Sequence, residues 1–358
     1  MDFRALECGN TPELGREVGR TKLMNQTFPE NSTAVGLDLG TSRVVSALCH
    51  ETEVLYVSQF NAFTTIPFSK LTENTLKKER VPYLLQDSEI EVFGDESERF
   101  ANLFHGEVRR PMRHGVLNPE ERNSSIAVKQ ILSLVLGEQN GRGQRLCFSV
   151  PAPAYGATEE VNTHQVQMSK ILCDLGYEVS SIQEGLAVVY GEMESTAYTG
   201  IGVSCGGGLC NVCLSYLSVP VFSFSVPKAG DYIDQSAALD RGESATRIRA
   251  IKEESFTFNG HFPNKNHQSI CAYYDDMIQA LVAAIRDAFS GAQSMPKLAR
   301  AVPLVLAGGS ALAPGFRDRF EKVLRETELP IAVSEVRLAA NPLHSTARGA
   351  LVAAMGEA

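Results

Sequence analysis

Residues Val35 to Val45 read V-G-L-D-L-G-T-S-R-V-V. Val35, Leu37 and Leu39 alternate with other residues, the period of a buried strand. Gly40 then allows a tight turn, and Thr41 and Ser42 bring hydroxyls and backbone N–H groups to its tip. Val44 to Leu48 read as the returning strand, so the stretch is a hairpin whose tip can cradle a phosphate. Asp38, near the end of the first strand, would face that phosphate. Like charge would expel it unless a divalent cation, reached through water, lay between them. A metal–nucleotide site is one reading. A glycine-turn hairpin with an acid of no special role is the other, and the stretch alone leaves both open.

The chain around it has 358 residues, long for one domain and comfortable for two. Hydrophobic residues make up 44% and charged ones 21%, the balance of a soluble globular protein. The net charge of −9 and pI near 5.4 count against general nucleic-acid binding, which needs a basic face. No run approaches the ~18 apolar residues of a membrane span. The N-terminus lacks a charged-then-apolar signal pattern, so a cytoplasmic location is expected. The eight cysteines are scattered in apolar contexts, which reads as reduced thiols.

Before the hairpin, residues 1–33 are polar and broken by Gly and Pro. Leu14, Val18 and Leu23 offer a weak amphipathic turn, and the segment reads as a disordered or loosely docked tail in preference to a membrane-surface helix. After the hairpin, strands are expected at Val54–Val57, Val81–Leu85 and Ile90–Phe93, separated by a polar segment rich in Lys and Glu. Asp95 reads as the N-cap of a following helix. These pieces form a small early insert, after which Arg109-Arg110-Pro111-Met112 returns the chain to the main domain. Ile126 to Leu136 has helical spacing, and Leu146 to Val150 is an apolar strand. A helix from about Thr158 to Leu175 is stopped by Gly176. Val179–Ile182 leads through Gln183-Glu184-Gly185 into a helix over Leu186–Met193.

Ile201 to Tyr216 repeats the opening design: strand, Gly206-Gly207-Gly208, strand. Two halves of strands followed by helices hint at an internal repeat. Lys228 to Asp234 opens a helix, with Asp231 readable as its N-cap. Glu243 to Glu254 is a charged helix whose i,i+3 and i,i+4 neighbours would stabilise it without a ligand. Residues 255–270 are irregular, and Ala272 to Phe289 is an amphipathic helix. Val302 to Leu306 is a strand followed by Gly308-Gly309-Ser310 and a helix to about Arg325, which gathers N–H groups near one point. Ile331–Val333 is a last strand and Ser345 to Met355 a closing helix. Cys205, Cys210 and Cys213 have a C-x4-C-x2-C spacing used by iron–sulfur proteins. They lie on the arms of one hairpin, whose side chains alternate between faces, so buried thiols are expected instead.

The three glycine-tipped turns with helices between them resemble the actin superfamily, which includes the heat-shock chaperone ATPase domain and sugar kinases. Asp38-Leu39-Gly40-Thr41, continued by Ser42 and Arg43, resembles the first phosphate loop, and Gly206 to Gly208 the second. Glu184, in I-Q-E-G-L-A-V-V-Y-G, is similar to the position that orients the attacking water. V-L-A-G-G-S-A-L-A-P-G-F, 305 to 316, looks like the adenosine loop. I-R-A-I-K-E-E, 248 to 254, resembles the helix whose Arg249, Lys252 and Glu253 would border adenine and ribose. Gly230 and Asp231 resemble a turn that closes over phosphate. V-F-G-D-E-S, R-R-P-M-R-H-G-V-L and N-P-L-H-S-T-A-R-G-A resemble the bacterial rod-shape (MreB-type) actins. The resemblance covers about residues 34–358.

It implies an α/β fold of two similar actin-like (ribonuclease H-like) domains flanking a nucleotide cleft, each with a small inserted subdomain. The first domain would span 34–198 with its insert at about 60–108. The second would span 199–358 with a reduced insert at about 250–271. ATP and Mg²⁺ would be the cofactors. Asp38 would anchor hydrated metal and Glu184 would position water. Gly40, Thr41, Ser42, Arg43, Gly206, Gly207 and Gly208 would hold phosphates, and Gly308, Gly309 and Ser310 adenosine. Catalysis in such a site is mainly positioning and charge stabilisation.

The sequence departs from that pattern where the second loop should begin with Asp and carry Thr after its glycines. Ser204 and Leu209 stand there, so one cation-holding acid and one phosphate-touching hydroxyl are missing. Gly185 replaces the usual proline, which would merely loosen a turn. Three functions follow. The first is an actin-like ATP-binding protein with weak Mg²⁺-dependent hydrolysis, self-associating into filaments or joining other cytoskeletal proteins. The second is a pseudo-ATPase scaffold that binds nucleotide poorly or not at all. The third is a small-molecule kinase of the same fold, for which no acceptor-activating acid is identifiable. Peripheral membrane contact has no support in the sequence.

Overall fold

The computed structural model describes residues 34–50, 53–86, 88–137, 143–156, 162–291 and 300–356. The expected tail over 1–33 lies outside them. The Val35–Val45 stretch forms β1 (Ala34–Leu39) and β2 (Arg43–His50), paired antiparallel with Leu39 opposite Val44. β3 (Glu53–Phe60) extends the meander. β9 (Arg145–Val150) and β10 (Glu178–Gln183) add in parallel on the other side, giving the order β10-β9-β1-β2-β3.

The second half repeats this design. β11 (Gly200–Cys205), β12 (Cys210–Tyr216) and β13 (Val219–Val226) are the meander, and β14 (Val302–Ala307) and β15 (Val333–Leu338) the parallel pair. Their order is β13-β12-β11-β14-β15, strand for strand that of the first sheet. Both central strands are buried almost throughout, as sheets covered on both faces require.

Two helices lie between the sheets. α5 (Glu184–Glu192) packs on β11 and β12 of the second sheet, and α10 (Ser345–Gly356) on β1 and β9 of the first. They pack on each other at very short range. A Cβ on Gly349 would lie 1.7 Å from the Ala187 carbonyl oxygen, and one on Gly191 2.6 Å from that of Ser345. Outside the first sheet lie α3 (Ser124–Leu136) and α4 (Asn162–Asp174). α6 (Gly230–Arg241), α7 (Ala245–Glu254), α8 (Lys265–Gly291) and α9 (Phe316–Arg325) belong to the second half. The largest core joins the second sheet to these helices through Tyr274, Phe316, Phe320 and their neighbours.

The early insert is a three-stranded sheet, β4-β6-β5 (Phe63–Pro67, Glu89–Phe93, Tyr83–Gln86), with α1 (Lys70–Glu79) and α2 (Glu96–Phe104). A short hairpin of β7 (Met112–Arg113) and β8 (Val116–Leu117) follows. The stretch 250–271 holds the end of α7, an irregular connection and the start of α8, with no strand among the described residues.

Several elements differ from the sequence reading. α1 lies where only a polar spacer was expected, because its sole buried apolar side chain is Leu76 and no period shows. It is held by its cap instead, with Ser69 Oγ accepting from the Thr72 N–H. β4 and β13 were not expected. β13 contains Pro220, which reads as a strand breaker but is tolerated because β13 is an edge strand. The last strand runs over Val333–Leu338 rather than Ile331–Val333, and α5 starts at Glu184 rather than Leu186. Asp95 does precede α2, but its carboxylate accepts from the Phe60 N–H at 2.9 Å instead of capping. Among the described residues no helix is long and apolar enough to cross a membrane.

Candidate functional site

The first turn is closed by the Gly40 N–H donating to the Arg43 carbonyl at 3.1 Å, and Asn61 Nδ2 donates to the Gly40 carbonyl at 2.8 Å. Just before it, Ser149 Oγ on β9 accepts from the Leu39 N–H and donates to Asp38 Oδ1, both at 2.9 Å. Ser149 thereby fixes where the acid sits at the carboxyl end of the sheet.

The second turn is closed the same way, by the Gly206 N–H on the Leu209 carbonyl at 3.0 Å. Its carbonyls dock on the start of α6. Gly206 O accepts from the Gly230 N–H at 3.1 Å and from Ser310 Oγ at 2.9 Å, and Gly207 O accepts from the Asp231 N–H at 2.7 Å. Lys252 Nζ reaches the Gly230 carbonyl at 3.1 Å and pairs with Asp234 at 2.8 Å. Gly206, Gly207, Gly230, Asp231, Ser310 and Lys252 therefore form one hydrogen-bonded block.

The two turns meet face to face. A Cβ on Gly207 would lie 2.1 Å from Ser42 Oγ, and one on Gly208 2.5 Å from Thr41 Oγ1. Thr41 Oγ1 accepts from the Gly115 N–H at 2.9 Å, which anchors the first turn to the β7–β8 hairpin. Arg110 spans the junction. Its Nη1 donates to Ser42 Oγ at 3.1 Å and to Asp231 Oδ1 at 2.6 Å. Turns this close leave little open space between them.

Asp38 and Glu184 lie behind the turns. Burial pushes Asp38 up to about 6, with the Ser149 bond acting against it. Burial and the nearby Asp38 charge push Glu184 up to about 8, with Ser204 and Asn211 acting against the rise. Ser204 Oγ donates to Glu184 Oε2 at 3.1 Å, so the serine in the place of an acid is turned to the glutamate. Two neighbouring carboxyls, both raised by burial and one also by the other's charge, are a donor set that a hydrated divalent cation would neutralise, and Asp38 is the one left partly uncovered.

Other expected residues sit differently. The Arg43 side chain stacks on Phe60 at 4.2 Å and bonds Ser58 at 2.9 Å, leaving only its backbone in the turn. Arg249 pairs with Glu98 of the insert, and Glu253 is exposed. Gly308 has φ 88° and ψ 160°, a region open to glycine alone, and a Cβ there would lie 2.3 Å from the Cys205 carbonyl oxygen. Gly309 carries no positive φ and would have room for a Cβ, so the close backbone approach expected of this glycine pair belongs to Gly308. Gly185 does more than loosen a turn: a Cβ there would lie 2.7 Å from the Cys213 N, so glycine lets α5 rest on β12. Cys205 and Cys210 are cross-strand partners, while Cys213 lies on the opposite face, beside Gly185.

Arg110, Ser149, Asn61 and Asn211 were not singled out from the sequence. Arg110 stood in a quoted stretch, R-R-P-M-R-H-G-V-L, but its partners lie 68 and 121 residues away. Ser149 alternates with apolar neighbours in a buried strand, a signal that was available.

A search of curated protein sequences finds no match. Solved structures do match. A MamK double helical filament has a TM-score of 0.67 at 19% identity, with 90% of this chain and 98% of that chain covered. MreB 5 of Spiroplasma citri bound to AMPPNP has 0.63 at 15%, covering 90% and 95%. The ethanolamine utilization protein EutJ from Carboxydothermus hydrogenoformans has 0.53 at 14%, covering 91% of each. The duplicated strand order and these matches make the fold actin-like. The family model described as Volactin matches residues 33–354, and the chain belongs to that family.

Proposed function

We propose that this chain is an actin-like nucleotide-binding protein, with domains at 34–198 and 199–358, that self-associates into filaments or a scaffold. The observation that carries the reading is the face-to-face meeting of the Gly40–Ser42 and Gly206–Gly208 turns, with Asp38 and Glu184 behind them. In this reading ATP lies between the turns, Asp38 holds Mg²⁺ through water, Glu184 orients water, and Ser310 and Lys252 brace the second turn. Neighbouring folds support it: the MamK structure is a filament, and MreB 5 structures hold AMPPNP or ADP. A cytoplasmic location, cytoskeletal partners and no nucleic-acid partner go with it.

Hydrolysis is expected to be weak, because Ser204 brings no charge to the cation. The pseudo-ATPase scaffold is the second reading, favoured by Ser204 and Leu209 in the second turn, which bring neither a metal acid nor a phosphate-touching hydroxyl. Equilibrium ATP binding followed by phosphate release on one preparation, with and without Mg²⁺, separates them. Binding with slow release supports the first. No binding at millimolar ATP leaves the scaffold. Sedimentation of the same preparation tests self-association.

A further inference from the structure

Arg110 has no role in the proposed function, yet it sits at the point where the site's parts converge. Its guanidinium bonds Ser42 on the first turn and Asp231 at the start of α6. Gly207 of the second turn lies against both of those partners, since a Cβ there would be 2.1 Å from Ser42 Oγ and 3.6 Å from Asp231 Oδ1. Arg110 and Asp231 are similarly covered, with side chains 22% and 23% exposed. The pair neutralises itself while the turns are closed.

We propose that Arg110 is a phosphate-binding residue of this site, and that a nucleotide's phosphates take over from Asp231 as its partner. The proposal rests on the nucleotide reading and deepens it. Phosphates placed between the turns would lie beside Ser42, within reach of the same guanidinium. A planar guanidinium is suited to phosphate oxygens, which it can hold in pairs. It also supplies from the protein part of the positive charge that an acid at position 204 would have recruited as a better-held cation. The site should therefore bind nucleotide with less dependence on Mg²⁺ than a site built on two metal acids. Asp231 competes for the guanidinium and sets the threshold for exchange.

The test is equilibrium binding of ATP and ADP to the full chain and to Arg110→Ala, Arg110→Lys and Asp231→Asn, each with Mg²⁺ and with chelator. Melting curves are taken on every preparation. Arg110→Ala should weaken ATP binding about tenfold or more and make what remains strongly Mg²⁺-dependent. Arg110→Lys should recover part of the loss. Asp231→Asn, which frees the guanidinium, should tighten binding in chelator. Arg110→Ala binding ATP within twofold of the natural chain, with the same Mg²⁺ dependence, overturns this inference while leaving the nucleotide reading intact. Should Arg110→Ala fail to fold, unchanged chelator binding in both Arg110→Lys and Asp231→Asn overturns it equally. A natural chain that binds neither nucleotide overturns the nucleotide reading, and this inference with it.

Discussion

Glu98 on α2 and Arg249 on α7 form a salt bridge that ties the inserted subdomain of the first half to the second half. Arg249 was expected to border a nucleotide, and its charge is instead held by an acid from the insert of the other half. A partly exposed pair of this kind contributes about 1 kcal/mol or less. Its loss should barely move the melting temperature but should loosen the closed arrangement. Glu98→Ala is expected to raise the radius of gyration measured by X-ray scattering, and to speed proteolysis between the halves. Scattering profiles that superimpose would show that other contacts hold the two halves together.

The buried acids predict how stability runs with pH in the absence of divalent cations. Asp38 and Glu184 have ordinary values of 3.8 and 4.5 and are both raised in the folded chain. The folded state therefore binds more protons than the unfolded one between those values and the raised ones. Stability from this pair falls as pH climbs from about 4 to about 8, then levels. Glu184→Gln removes most of that fall. In chelator above pH 8 it should be more stable than the natural chain by roughly 1–3 kcal/mol, since each tenfold change in proton affinity is ~1.4 kcal/mol and water reaching the acids softens the effect. Denaturation curves at pH 5, 7 and 8.5 give the answer, and parallel curves for the two proteins would count against it.

The glycine pair at the end of β14 should respond unequally. Gly308→Ala forces a side chain into a glycine-only conformation and onto the Cys205 carbonyl, which should cost about 2–4 kcal/mol. Gly309→Ala should melt close to the natural chain. Thermal denaturation of the two variants suffices, and equal effects would mean that this turn is held differently.

Ser204→Asp with Leu209→Thr should change how the protein answers Mg²⁺. A third carboxyl beside Glu184 and Asp38 would lower stability in chelator, since like charges would be buried together. Mg²⁺ should then raise the melting temperature by several degrees more than in the natural chain, and ATP with Mg²⁺ further still. Leu209 packs toward Gly115, where a Cβ would lie 2.9 Å from Leu209 Cδ1, so threonine also leaves a small gap at the β7–β8 hairpin. A folded double variant with no added Mg²⁺ response would remove the second turn from the metal reading.

Much of this was legible because it depends on local spacing. The Gly40 and Gly206 turns sit between apolar strands, and their hairpin form follows from a few adjacent residues. The repeat of strand, glycine turn and strand revealed the duplication, although β13 was hidden by Pro220. What the sequence could not show was pairing at a distance. Arg110 and Asp231 are 121 residues apart, and Arg249 and Glu98 are 151 apart. A charged residue in a loop carries no sign of which distant partner the fold will bring to it. The role of Gly185 escaped the sequence for the same reason, since its neighbour Cys213 lies on a strand packed against it from later in the chain.

The contact between α5 and α10 has a mechanical consequence. Where Gly349 meets the Ala187 carbonyl and Gly191 that of Ser345, the helices meet backbone to backbone. Backbones this close leave no space for a side chain at either glycine, so the joint that couples the two sheets through α5 and α10 admits no larger residue there. The ion pair of Glu98 and Arg249 belongs to α2 and α7, which pack on the insert strands and on α6 and α8 rather than on that joint. The two halves are thus joined at two separate places, the helix pair between the sheets and the ion pair at the insert.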